Sequence, residues 1–114
     1  MDIKKTNKPI ELLLIEDNPG DLLLTKRMLE KAQYTAFDIS YANNLSSGID
    51  CAMKNKIDVI LSDLNLPDSP DVDTFHKLKL QVPEIPTNIK EQHGYLINYR
   101  YYHFSIVVIG IPLL

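Results

Sequence analysis

The chain has 114 residues, of which 45% are hydrophobic, and its formal net charge is −3. This length predicts one domain with a core of its own, and no basic stripe points to nucleic-acid binding. The single cysteine excludes an internal disulfide, and no apolar stretch reaches the roughly 20 residues of a membrane span. Residues 1–8 are polar and charged and do not resemble a signal peptide, so we expect a cytoplasmic protein that contacts neither membrane nor nucleic acid.

The first predicted strand is the apolar run Ile10–Ile15, which ends directly before Glu16 and Asp17. A run with so little polarity is typical of a strand buried on both faces of a parallel sheet. The turn at residues 18–21 then leads into a helix. For this helix we expect Leu23 to be exposed and one broad apolar face to be formed by Leu22, Leu24, Met28 and Leu29.

A second strand is predicted over residues 36–41, where apolar and polar residues alternate. Asn43 or Asn44 can cap the next helix, because a short polar side chain accepts hydrogen bonds from free amides of the first turn. The apolar residues of that helix follow the spacing i, i+4, i+7 and i+8, a clean amphipathic stripe made of Leu45, Ile49, Ala52 and Met53.

The third strand is predicted over residues 57–62, directly before Asp63, and residues 63–70 form a loop by composition. A third helix then has one apolar face, formed by Val72, Phe75, Leu78 and Val82. Residues 9–83 therefore predict the order βαβαβα, which is typical of a doubly wound α/β fold.

Three carboxylates follow the first and third predicted strands, namely those of Glu16, Asp17 and Asp63. In a doubly wound sheet these strand ends lie at one edge, where ligands bind. Two carboxylates about 4 Å apart repel by roughly 4 kcal/mol at an effective dielectric near 20. We therefore expect the three groups to cluster around a hard divalent cation, for which oxygen atoms are the usual ligands.

The chain resembles the receiver domain of two-component response regulators at residues 12–18 and 59–68, and weaker matches extend the similarity over residues 9–86. The resemblance implies a flavodoxin-like sheet with strand order 2-1-3-4. It also implies a phosphorelay function, in which a histidine kinase or phosphotransfer protein transfers a phosphoryl group to Asp63. A domain of this kind is a signalling module and not an enzyme.

The same resemblance implies a site for Mg²⁺ or Mn²⁺. Asp17 and Asp63 would bind the ion directly, Asn65 would contribute its backbone carbonyl, and Glu16 would act largely through a bound water. Cys51 and His76 have no such role, and we expect the first to be partly exposed and the second exposed. His93 and His103 are 10 positions apart and have no cysteine nearby, so they do not predict a second metal site.

Residues 87–114 depart from the family. Where a fourth apolar strand is expected, the sequence is polar as far as Gly94, and the best candidate for that strand is at residues 106–110. The family has a Thr or Ser at the end of its fourth strand and a Lys at the end of its fifth. Thr87 and Lys90 have the right chemistry but not the family positions, so neither role is assigned.

Three interpretations stay open for the chain as a whole. It is a working stand-alone receiver, a pseudo-receiver that binds a protein partner without switching, or a truncated or frame-shifted fragment. The intact loop at Asp63 favours the first, and the missing hydroxyl and lysine favour the other two. Too few residues remain for the last βα unit, so we expect a marginal, association-prone domain whose third strand lies near an exposed edge, unless residues 104–110 pair with it.

Overall fold

The computed structural model describes residues 8–31, 36–69, 73–90 and 96–98. Within these ranges the chain forms three helices and five strands. The helices are α1 (Pro19–Glu30), α2 (Leu45–Lys54) and α3 (Asp73–Gln81). The strands are β1 (Ile10–Ile15), β2 (Phe37–Ala42), β3 (Val59–Asp63), β4 (Thr87–Lys90) and β5 (Leu96–Asn98). No helix in this described part is long and apolar enough to cross a membrane.

The described strands form one sheet in the order β2-β1-β3-β4-β5. The first four are parallel, whereas β5 pairs with β4 in the antiparallel direction. The predicted doubly wound fold, with strand order 2-1-3-4, is therefore confirmed. The apolar runs of β1 and β3 lie side by side at the centre of the sheet, as their composition predicted.

Each face of the sheet has its own apolar cluster, because side chains alternate along a strand. One cluster joins Leu13, Ile15 and Ile60 to residues of α2 and α3. The other joins the intervening residues of β1 and β3, Leu12, Leu14, Val59 and Leu61, to Leu29 of α1. Helices on both faces thus hold the two central strands, and the polar residues that follow these strands emerge at one edge.

The expected apolar face of α1 was only partly right. Leu29 is buried and Leu22 is half-buried, but Leu24 and Met28 are exposed at 59% and 39%. The buried neighbour of Leu29 is Thr25, one turn earlier. Because α1 lies on the sheet through the spacing 22, 25 and 29, its other apolar residues point to solvent. Leu23 is also exposed, as predicted.

The start of α2 confirms one of the two predicted caps. The backbone N–H of Ser47 donates to the Asn44 side chain at 2.8 Å. Leu45 and Ala52 are buried as the stripe predicted, but Met53 is 64% exposed. The stripe was therefore wrong at Met53, which lies outside the buried face formed by Leu45, Gly48 and Ala52.

The fourth strand lies in the polar stretch that the sequence did not assign to a strand. Residues 87–90 pair with β3 directly after Pro86, and residues 106–110, the favoured candidate, lie outside the described residues. Pairing with β4 makes β3 an interior strand, so the expectation of an exposed edge there was wrong. Backbone groups of an open edge bond to any residue, and here that pairing outweighs the polarity of Thr87 and Asn88, which are both buried.

Candidate functional site

Three carboxylates meet at the C-terminal edge of the sheet. One oxygen each from Glu16, Asp17 and Asp63 lies within 4.8 Å of the other two. Glu16 is buried, Asp63 is half-buried and Asp17 is exposed. The clustering that the sequence predicted is confirmed, whereas the roles assigned to these residues stay predictions.

Strand register explains why these groups meet. Ile15 of β1 is opposite Ser62 of β3 in the parallel ladder, so the residues that follow the two leave the sheet side by side. The N–H of Glu16 donates to the carbonyl of Ala42 at 2.9 Å, which extends the pairing of β1 and β2 by one residue. Its carboxylate also accepts from the N–H of Asn18 at 3.3 Å. Glu16 is thus held on both its backbone and its side chain.

A close approach of α2 to β1 fixes the end of β1 further. Gly48 of α2 is buried against Ile15, and a Cβ at residue 48 would lie 2.5 Å from Cδ1 of Ile15. A side chain at residue 48 would force the buried Ile15 side chain to shift. The helix therefore depends on glycine at this position to reach the strand end that precedes Glu16.

The loop after β3 is closed by backbone and side-chain hydrogen bonds. The N–H of Leu66 donates to the carbonyl of Ser69 at 3.0 Å, and the N–H of Ser69 donates back to the carbonyl of Leu66 at 3.1 Å. The buried hydroxyl of Thr74 lies 2.8 Å from the carbonyl oxygens of both Leu64 and Ser69. Leu66 is itself buried in the cluster of α2 and α3. The segment that follows Asp63 is therefore anchored rather than loose.

Asp68 projects from this loop to the start of α2. Its carboxylate accepts from the N–H of Leu45 at 2.7 Å and from the N–H of Ser46 at 2.9 Å. Burial raises the pKa of the Asp68 carboxyl, but these two N–H groups lower it, and the pKa lies below its ordinary value of 3.8. Local sequence patterns predict the cap at Asn44 but not the one at Asp68, since no local pattern links residues 23 positions apart.

The donor set suits a hard divalent cation. Around an ion bound at about 2.1 Å, neighbouring oxygen ligands lie roughly 3–4 Å apart, which the observed cluster allows. The exposed side of Asp17 leaves the cluster accessible from solvent. Asn65, the fourth predicted ligand, lies next to the cluster, with its N–H 3.4 Å from Oδ1 of Asp63.

No protein-family model matches the chain. It is 30% identical over 79 residues to the probable transcriptional regulatory protein TcrX of Mycobacterium tuberculosis, which covers 69% of this chain and 32% of TcrX. The chain thus spans about a third of the length of that relative. A response regulator receiver domain protein from Clostridium thermocellum has a TM-score of 0.61 and 24% identity, over 75% of this chain and 67% of that one. The fold is that of a response-regulator receiver domain.

A further receiver domain with this fold carries a metal. The receiver domain of the sensor histidine kinase PA1611 from Pseudomonas aeruginosa has a TM-score of 0.61 and 21% identity, over 72% of this chain and 66% of that one. It is described with a magnesium ion coordinated in its active-site cleft.

The receiver resemblance weakens on the β4 side of the sheet. Lys90 ends β4 opposite Asp63. The next strand, β5, runs antiparallel to β4, and its three residues include no lysine. In the described part of the chain, therefore, no parallel fifth strand supplies the lysine that the family has at its end.

His76 and Cys51 do not belong to the carboxylate cluster. His76 is exposed, as predicted. Cys51 is half-buried against the cluster of α2 and α3, with its Sγ 3.6 Å from Nδ2 of Asn55. His93 and His103 lie outside the described residues.

Proposed function

We propose that this domain accepts a phosphoryl group on Asp63 in a phosphorelay and thereby acts as a signalling module. The observation that carries the proposal is the carboxylate cluster at the end of β1 and β3, in which Glu16, Asp17 and Asp63 approach within 4.8 Å. The receiver fold and the similarity to a transcriptional regulator support it.

In the proposed reaction, a carboxylate oxygen of Asp63 attacks the phosphorus of a phosphorylated histidine on the donor protein. The new O–P bond forms as the N–P bond breaks, and the electron pair of that bond stays on the imidazole nitrogen. The anchored loop after β3 would hold Asp63 in line with the incoming phosphorus, which lowers the barrier by orientation. Solvent access at Asp17 leaves room for the donor side chain.

The residues that would hold Mg²⁺ or Mn²⁺ are Asp17 and Asp63 through their carboxylates and Asn65 through its backbone carbonyl. Glu16, which is buried and accepts from the N–H of Asn18, would act largely through a bound water. The ion would neutralise the negative charge that the carboxylate and the phosphoryl oxygens bring together.

The proposed donor is a histidine kinase or a phosphotransfer protein, and the proposed setting is the cytoplasm. Two features support this choice: the receiver fold and the similarity to a transcriptional regulatory protein. In this role the domain acts as a signalling module, and the donor supplies the activated phosphoryl group.

Phosphorylation by a small acyl phosphate tests the proposal without knowledge of the donor. With acetyl phosphate and Mg²⁺, the protein should gain the mass of one phosphoryl group, which hydroxylamine should remove because the product is an acyl phosphate. Asp63→Asn should abolish the gain, whereas Asp21→Asn, an exposed position in α1, should leave it unchanged. No gain in the wild type, or an equal gain in Asp63→Asn, would contradict the proposal.

A second candidate function is that of a pseudo-receiver, a module that keeps the fold and binds a protein partner without switching. The antiparallel β5, with no lysine among its residues, favours this reading. The two candidates differ in the acyl-phosphate experiment, since a pseudo-receiver gains no phosphoryl group. They share the fold, so the structural similarity does not discriminate between them.

A further inference from the structure

Asp68 joins two elements that are far apart in the chain. It lies in the closed turn after β3, between Leu66 and Ser69, yet its carboxylate bonds to the first two amides of α2. These amides have no acceptor within the helix, so they need partners from elsewhere. The carboxylate therefore serves α2 as a cap and serves the loop as a tether.

Asp68 is close in sequence to the residues of the proposed site. Asn65, whose carbonyl is a proposed ligand, is the residue before the closed turn, and Asp63 is two residues before Asn65. The side chain of Thr74 holds the carbonyl of Leu64 at one end of this short segment. Asp68 holds the turn at the other end against α2. The segment between the two anchors has little freedom to move.

We infer that Asp68 is a positioning residue, which fixes the loop on α2 so that the Asn65 carbonyl and the Asp63 carboxylate stay aligned for a divalent cation. The inference rests on the proposed function and adds a residue outside the ligand set to the site. Groups of this kind orient ligands without touching the ion, and their loss typically lowers metal affinity by about 10- to 100-fold.

A carboxylate is suited to this task for two reasons. Its two oxygens accept from two adjacent amides at once, and its negative charge is favourable at a helix N-terminus. Asn44 provides a matched comparison, because its side chain caps the same helix through the N–H of Ser47 but belongs to no part of the loop. Loss of either residue weakens α2, and loss of Asp68 alone frees the loop.

The experiment compares Asp68→Ala, Asp68→Asn and Asn44→Ala with the wild type. Mn²⁺ affinity is measured by titration, and stability is measured by urea unfolding of the same samples. We expect both alanine variants to lose stability, and Asp68→Ala alone to lose about tenfold in Mn²⁺ affinity. Asp68→Asn keeps one carbonyl acceptor, so its loss of affinity should be intermediate, and it remains usable if Asp68→Ala does not fold.

The possible outcomes test the positioning role of Asp68 separately from the proposed function. Wild-type affinity in both Asp68 variants, or an equal loss in Asn44→Ala, would overturn the tether while leaving the proposed function intact. An equal loss of Mn²⁺ affinity in Asp68→Asn and Asp68→Ala would show that only the charge of Asp68 matters, which would also overturn its positioning role. If the wild type itself binds no Mn²⁺, the proposed function fails, and the inference fails with it.

Discussion

The part of the sheet around β1 and β3 and the part formed by β4 and β5 differ in composition and packing. From β1 to β3, apolar strands lie under helices on both faces, and the acidic cluster emerges where these strands end. On the other side, β4 is short and polar, and β5 runs antiparallel to it. The three clustered carboxylates and the loop that anchors Asp63 all belong to the first side.

The difference separates two properties that a receiver normally combines. Cation binding and phosphoryl acceptance would depend on the β1–β3 side, which is well packed. In the family, the response to phosphorylation depends on the hydroxyl and the lysine of the last two strands, which have no counterpart among the described residues. The domain is therefore expected to do the chemistry of a receiver more readily than its switching.

The largest expected effect is on the packed side. Leu61 of β3 is fully buried, so Leu61→Ala should lower the free energy of unfolding by about 2–5 kcal/mol through lost burial and a residual cavity. Urea unfolding measures it. Leu80→Ala, at a position 78% exposed in α3, is the control and should change the free energy by less than about 0.5 kcal/mol. Similar small effects at both positions would show that β3 is not the centre of the core.

The residue of β4 that pairs with Leu61 should show the opposite effect on the free energy of unfolding when it is replaced. Asn88 of β4 lies opposite Leu61 and is 1% exposed. Among the described residues, its Nδ2 is the buried side-chain atom without a hydrogen-bond partner. Asn88→Leu has the same branching and removes this unsatisfied group, so it should raise the free energy of unfolding by about 1–3 kcal/mol. A destabilised variant would mean that the amide has a partner, such as bound water.

The smallest expected effect is a pH dependence of stability that arises at Glu11, near the N-terminal end of β1. Burial, together with the negative charge of Asp38 on β2, raises the pKa of Glu11 above its ordinary value of 4.5. Because the pKa of Glu11 is raised on folding, its contribution to the free energy of unfolding is most favourable at low pH. This contribution is lost as pH rises through the folded-state pKa. Glu11→Gln should therefore be more stable than the wild type at neutral pH.

Thermal unfolding at a series of pH values from acid to neutral checks this sign. The advantage of Glu11→Gln should grow as pH rises and should vanish in acid, where the glutamate is protonated. Glu84→Gln, at an exposed position, serves as the control. An advantage that is constant with pH would assign the effect to packing rather than to charge.

The sequence predicted those parts of the fold in which the polarity of the residues matches their burial. The apolar runs before Glu16 and Asp63 fixed two neighbouring strands, and parallel geometry then brought the three carboxylates together. It failed where a distant contact decides the outcome. The strand at residues 87–90 is polar and forms because β3 offers it backbone partners. Likewise, Thr25 replaces Met28 on the buried face of α1, because the sheet sets the rotation of the helix.

We propose that the C-terminal ends of β1 and β3 alone form a divalent-cation site on which phosphoryl transfer depends. Titration with Mn²⁺ of the wild type, Asp17→Asn, Asp63→Asn and Asn88→Leu tests it most directly. Asp17→Asn and Asp63→Asn each lose a direct ligand and should lose at least the roughly tenfold affinity that loss of an orienting residue costs. Asn88→Leu, on the β4–β5 side of the sheet, should bind as the wild type does. Equal affinity in all four proteins would show that the acidic cluster is only a surface feature.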